Sequence, residues 1–157
     1  MSQNDSYKDT VIDMLVDCQL FNHFSPADLQ QAAPYFHFED VSKGGKIFDE
    51  GDVGTFMGII HDGKIAVLKT DSQNQPNKLA VLQRGKTFGE MAVLDGERRS
   101  ASCVAETDCT LLTLSRESLD RMLEEHPKVA AKVVRALAVS LSRRLRMIDF
   151  KVADHQI

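Results

Sequence analysis

Three regimes of hydrophobic patterning follow one another along the chain. In the first, Val11, Ile12, Leu15, Val16 and Leu20 fall at near-helical spacing. A second, shorter helix is signalled by Ser25-Pro26-Ala27-Asp28. Ser25 can cap, Pro26 suits the first helical position, and Asp28 stands where a capping-box acid reaches back. That helix is expected from Pro26 to about Ala33. It should stop before Pro34, because proline pushes the residue ahead of it out of the α region.

From Tyr35 to Leu114 the signals change to strand and turn. Ile47-Phe48 precedes the turn cluster Asp49-Glu50-Gly51-Asp52, and Phe56 to His61 is a short apolar run. Asp62-Gly63 favours a type I′ hairpin, with Lys64 to Lys69 as its return strand. The polar stretch Asp71 to Asn77, containing Pro76, reads as a hairpin loop. Leu79 to Leu82, Ser100 to Ala105 and Cys109 to Leu114 continue a series of short strands about 8–12 residues apart, the spacing of a sandwich or barrel. Phe88 to Leu94 interrupts it with a helical pattern.

In the third regime helix returns. Ser115 can cap a helix through Arg121 and Glu125, and Pro127 opens a longer one to about Phe150. Val134, Ala138, Leu141, Leu145 and Ile148 are spaced as a narrow seam, which Val133 and Leu137 widen. The seam suits core packing, a dimer interface or a lid. The fold class expected is mostly β with flanking helices (α+β). It comprises N-terminal helices over 1–34, a short-strand antiparallel β-barrel or jelly roll over 35–114, and C-terminal helices over 115–150, all in one domain.

Composition adds boundaries. The 157 residues are 43% apolar and 27% charged, which excludes disordered and low-complexity classes. No apolar run is long enough for a transmembrane helix and the start is polar, so a cytoplasmic location is the default expectation. Cys18, Cys103 and Cys109 show no CxxC spacing and read as buried free thiols. The five histidines, 23, 37, 61, 126 and 155, form no metal-ligand spacing, so neither a metal site nor a cupin-type enzyme is expected. Met57, Met91, Met122 and Met147 read as core fillers. Net charge is −9 over residues 1–126 and +5 over 127–157. Basic residues late in a helix complement its dipole, and Arg143, Arg144 and Arg146 read as a solvated face.

The segment richest in chemistry is Phe88-Gly89-Glu90-Met91-Ala92, followed by Gly96 and then Arg98-Arg99-Ser100-Ala101-Ser102. Gly89, lacking a Cβ, lets backbone approach a ligand closely. The turn after it would leave amide N–H groups free for an anion. Arg99 offers a planar fork for two phosphate oxygens. An ionised Glu90 only accepts hydrogen bonds, which suits a hydroxyl such as that of a ribose. Together they fit a sugar carrying one negative phosphate. An internal Glu90–Arg99 ion pair is the plainer alternative.

That segment, residues 88–102, resembles the phosphate-binding cassette of the cyclic nucleotide-binding domain family. The resemblance extends to the Gly51-Asp52 turn, the Asp62-Gly63 pair and the closing helices. It implies that Glu90 binds the ribose 2′-hydroxyl and that Arg99 pairs with the cyclic phosphate. It also implies that Gly89, Met91, Ala92 and Ser100 add main-chain or hydroxyl contacts, with Phe88 and Ala101 bounding the site. Many members have proline before the cassette arginine, where this chain has Arg98. Arg99-Ser100 is similar to the bacterial catabolite activators, which leans the ligand toward cAMP, with cGMP compatible. The resemblance further implies helices that shift on binding, a homodimer along the last helix, and a downstream protein partner that the sequence does not name. Only nine residues follow Ile148, so no helix-turn-helix and no direct DNA binding is expected. No cofactor and no catalytic group is indicated. The alternative in another class is an interaction or dimerisation module whose pocket no longer responds to nucleotide.

Overall fold

The computed structural model describes residues 3–155; Met1, Ser2, Gln156 and Ile157 lie outside it. Helix α1 (Gln3–Val16) packs Val11, Met14 and Leu15 into the core. It ends at Val16, and Leu20 belongs instead to a separate 3-10 turn, Gln19–Phe21. Helix α2 (Pro26–Ala32) carries the expected capping box: the Asp28 N–H donates to Ser25 Oγ, and the Ser25 N–H donates to the Asp28 carboxylate.

Eight strands follow: β1 (His37–Val41), β2 (Lys46–Phe48), β3 (Phe56–Asp62), β4 (Ile65–Thr70), β5 (Pro76–Leu82), β6 (Thr87–Phe88), β7 (Ser102–Ala105) and β8 (Cys109–Ser115). They form two antiparallel sheets of four, ordered β1-β8-β3-β6 and β2-β7-β4-β5. The pairs β1–β8, β2–β7, β3–β6 and β4–β5 are nested inside one another. This is the connectivity of a jelly roll. One core lies between sheet and helices around Met57, Ile59, Leu112 and Leu114, and a second lies between the sheets around Phe48, Ile60, Ile65 and Leu111.

The expected Asp62-Gly63 hairpin does not form. β3 and β4 belong to different sheets, so the pair turns a corner from one sheet to the other. Gly63 alone has positive φ, +95°, where a type I′ turn needs two such residues. The corner is packed against the β7–β8 turn: a Cβ on Gly63 would stand 2.4 Å from the Asp108 carbonyl oxygen. The real hairpin is β4–β5, where Thr70 faces Pro76.

Between β6 and β7 the chain makes helix α3 (Glu90–Asp95). After the sheets come α4 (Arg116–Glu125), capped by Ser115 Oγ, and the long α5 (Pro127–His155). Helix α5 buries Val129, Ala130, Val133 and Leu137. Beyond Leu137 no described residue of it is buried, so the seam through Leu145 and Ile148 is open rather than core. Met91 and Met147 are exposed, correcting their reading as core fillers, whereas Met57 and Met122 are buried.

Asp28 also accepts from Lys132 Nζ of α5 at 2.6 Å, which joins the two helices. The Lys132 hydrogen bond, and then the Ser25 N–H, hold its carboxyl below the usual range. A depressed folded value means stability that is present above the unfolded value near about 4 and lost as pH falls through the folded one. Asp28→Ala should therefore cost about 0.5–2 kcal/mol at pH 7. The difference from wild type in urea unfolding should shrink below about pH 4.

Candidate functional site

The site is built around a buried cation. Arg99 follows the loop after α3 and is 5% exposed. Its backbone N–H donates to the Asp52 carbonyl, and its own carbonyl accepts from the Gly51 N–H, so the β2–β3 turn fixes its position. Its guanidinium lies over the Phe48 ring, 3.8 Å from the centroid, and 4.8 Å from that of Phe56. Nη1 donates to the Gly89 carbonyl at 3.1 Å and Nη2 to the Phe56 carbonyl at 2.5 Å. Nε is buried without a partner. Burial lowers the pKa of the group from the ordinary arginine value. No carboxylate forms a salt bridge with it among the described residues.

Gly89 makes this approach possible. It sits at φ +72°, immediately before α3, and a Cβ there would stand 2.4 Å from Arg99 Nη1. Its carbonyl is thereby free to hold the guanidinium while α3 begins at the next residue.

Glu90, the first residue of α3, is 1% exposed. The plainer reading, a Glu90–Arg99 ion pair, is not what forms. Oε1 accepts from Arg144 Nη2 at 2.5 Å, and Oε2 is buried without a partner. Arg144 is therefore not part of a wholly solvated face. It reaches the cassette from α5, a role that no local pattern in the sequence reveals.

All eight residues singled out in the sequence, Phe88, Gly89, Glu90, Met91, Ala92, Arg99, Ser100 and Ala101, line one cavity of about 1560 Å³. Phe88 and Ala92 are buried parts of its floor, while Met91 and Ser100 are exposed at its rim. Arg98 also lines the cavity but is exposed, and its Nη1 donates to the Gly51 carbonyl. The β4–β5 wall was not legible in the sequence, whereas the α5 wall fits the lid among the readings of its seam. Val67, Leu79 and Leu82 supply an apolar side from β4 and β5, and α5 supplies another from Lys132 to Ile148.

Chemically, the cavity wall contains a buried cation, Arg99, and a buried carboxylate, Glu90, whose Nε and Oε2 have no hydrogen-bond partner, with apolar surface beside them. Cys18 and Cys103 also line it, but burial raises both thiols, Cys103 to about 12, so they are neutral rather than reactive thiolates. Among the described residues no cluster of side chains could hold a metal ion.

Comparison with known proteins follows the same lines. The family described as cyclic nucleotide-binding domain matches residues 38–126. The "Cyclic AMP receptor protein" of Thermus thermophilus is 37% identical over 133 residues, covering 85% of this chain and 60% of that protein. The chain therefore spans less than two thirds of that relative's length. A crystal structure of a cyclic nucleotide-binding domain from Methylobacillus flagellatus superposes with a TM-score of 0.82 at 27% identity, covering 98% of this chain and 86% of that one. "Glutaminase 1" of Bradyrhizobium diazoefficiens is 28% identical over 88% of this chain but only 22% of its own length.

The geometry at Gly89 can be checked by substitution. Gly44 also has positive φ, +83°, but a Cβ there meets nothing within 4 Å. Gly44→Ala should cost only the left-handed backbone penalty, about 1–2 kcal/mol. Gly89→Ala should cost more in urea unfolding, since it must also displace the Arg99 guanidinium. Equal losses would show that the approach does not matter.

Proposed function

The chain belongs to the cyclic nucleotide-binding domain family, and we propose that it is a regulatory sensor that binds a cyclic mononucleotide, cAMP in preference to cGMP. The observation that carries this reading is that Arg99 and Glu90, buried with Nε and Oε2 unpartnered, line the same cavity. Buried polar groups normally find partners. A singly charged phosphate beside Arg99 and a sugar hydroxyl on Glu90 supply both. Within that reading Gly89, Met91, Ala92 and Ser100 contribute backbone and hydroxyl contacts. Phe88 and Ala101 bound the sugar–phosphate, and the apolar surface of Val67, Leu79 and Leu82 receives the base.

Helix α5 walls the cavity from Lys132 to Ile148. A nucleotide that touches both the cassette and α5 has different affinities for different helix arrangements, and so shifts their populations. Exposed Val139, Leu145, Met147 and Ile148 on α5 support pairing with a second copy of the chain or contact with a downstream protein. Catalysis has no part in the proposal. Among the described residues no helix is long and apolar enough to cross a membrane.

Thermal unfolding of nucleotide-stripped protein tests the reading. A ligand at about 100 times its Kd stabilises by about 2.7 kcal/mol, a rise in Tm of about 5–10 °C for a chain this size. The rise is expected with cAMP, to a smaller extent with cGMP, and not with AMP. Arg99→Ala should abolish it while leaving the far-ultraviolet circular dichroism unchanged. An equal rise with AMP, or an unchanged one in Arg99→Ala, would refute the assignment of the cyclic phosphate to Arg99.

A further inference from the structure

We propose that Glu50 and Lys69, neither of which lines the cavity, are positioning residues for the phosphate side of the site, and that they act by holding Ser100 off the sheet. The inference rests on the reading of Arg99 and Ser100 as residues that meet the phosphate.

Strand β7 pairs with β4 in a register that sets Val67 opposite Cys103 and Leu68 opposite Ser102. Two steps further the same register would set Thr70 opposite Ser100, and the Arg99–Ser100 segment would run along the sheet. The pairing stops before that, at Leu68 and Ser102. Backbone groups that leave a ladder need other partners. At this fork two of them are taken by side chains. The Thr70 N–H donates to Glu50 Oε2 at 3.0 Å, and the Ser100 carbonyl accepts from Lys69 Nζ at 2.7 Å. Lys69 Nζ also donates to Glu50 Oε1 at 3.0 Å, which joins the two halves of the fork.

The β2–β3 turn holds the same stretch. The Glu50 N–H donates to Ser102 Oγ at 2.8 Å, and the Gly51 N–H to the Arg99 carbonyl at 2.9 Å. Arg99, Ser100 and Ser102 each have one group fixed in this way. Ser100 lines the cavity, and a fixed carbonyl limits the directions its hydroxyl can take. The Thr70 N–H, and then Lys69, hold the Glu50 carboxyl below its usual range, so it is ionised at neutral pH. The Lys69 and Glu50 side chains are 49% and 29% exposed, and ion pairs this open add little to stability. What the pair supplies is position.

Removing one charge at a time separates this role from a purely electrostatic one. Lys69→Met takes a cation from the neighbourhood of an anionic ligand, and Glu50→Gln takes an anion. Charge alone would make the first weaken cAMP binding and the second strengthen it. Positioning makes both weaken it, by about three- to tenfold each in titrations of the nucleotide-stripped full chain, with Lys69→Arg recovering part of the loss. Ser100→Ala should itself weaken binding by about tenfold or more, the effect of a lost hydrogen bond to a charged group. In that background Lys69→Met should cost no more than about twofold, because the hydroxyl it places is gone. Unchanged affinity in Lys69→Met, unchanged or tighter binding in Glu50→Gln, or a Lys69→Met loss that is the same with and without the Ser100 hydroxyl would overturn the inference and leave the cyclic nucleotide reading standing. A wild type without affinity for cAMP, or a Ser100→Ala variant that binds as wild type does, would overturn the reading of Ser100 and this inference with it.

Discussion

A guanidinium withdrawn from water without a carboxylate is the constraint on which the site depends. Burying a charge is costly unless it is paired and hydrogen-bonded. Arg99 meets that cost partly with two ring faces and two carbonyls, drawn from β2, β3 and the turn before α3. Those contacts explain why Phe48 and Phe56 are where they are and why Gly89 has no side chain. They also leave the positive charge uncancelled. A carboxylate partner would stabilise the free protein and close the site to anions. The cassette's own carboxylate, Glu90, is neutralised from another element instead.

The division of labour between the two arginines gives the site its polarity. Arg99 is anchored within the sheet framework, whereas Arg144 stands on a helix whose last buried side chain, among the described residues, is Leu137. One end of the cavity is therefore held by the sheets and the other by a polar contact. Lys132, bound to Asp28 in the capping box of α2, lies within the anchored stretch, one turn or so before Leu137.

Much of this was legible locally. Capping at Ser25 and Ser115, the helical break at α3 and the eight cassette residues all depend on neighbours in sequence, and all eight line the cavity. What was not legible depends on distant partners. Asp62-Gly63 has the composition of a hairpin, but the strands on either side of it find better partners in opposite sheets. Strand β1, His-Phe-Glu-Asp-Val, is exposed for four of its five residues and carries no alternating signal, and β6 has two residues. Arg144 looks like any arginine on the outer turn of a helix. Its meaning comes from Glu90, 54 positions away.

The nested pairing of the strands has a consequence for how the chain reaches this state. The innermost pair, β4–β5, closes across a short loop, with Thr70 opposite Pro76. The outermost pair sets Val41 opposite Cys109, so β1 waits for nearly the whole sheet region to be synthesised. Loop-closure entropy must be met before such distant contacts return anything, which makes this a slowly folding topology. Phe48 and Phe56 are made early and Arg99 later, while Arg144 comes after every strand. Until the cation that covers them arrives, the two rings have one another and Phe88 for cover. During synthesis the half-made cassette is an apolar surface, and its polar contacts are complete only when the last helix is in place.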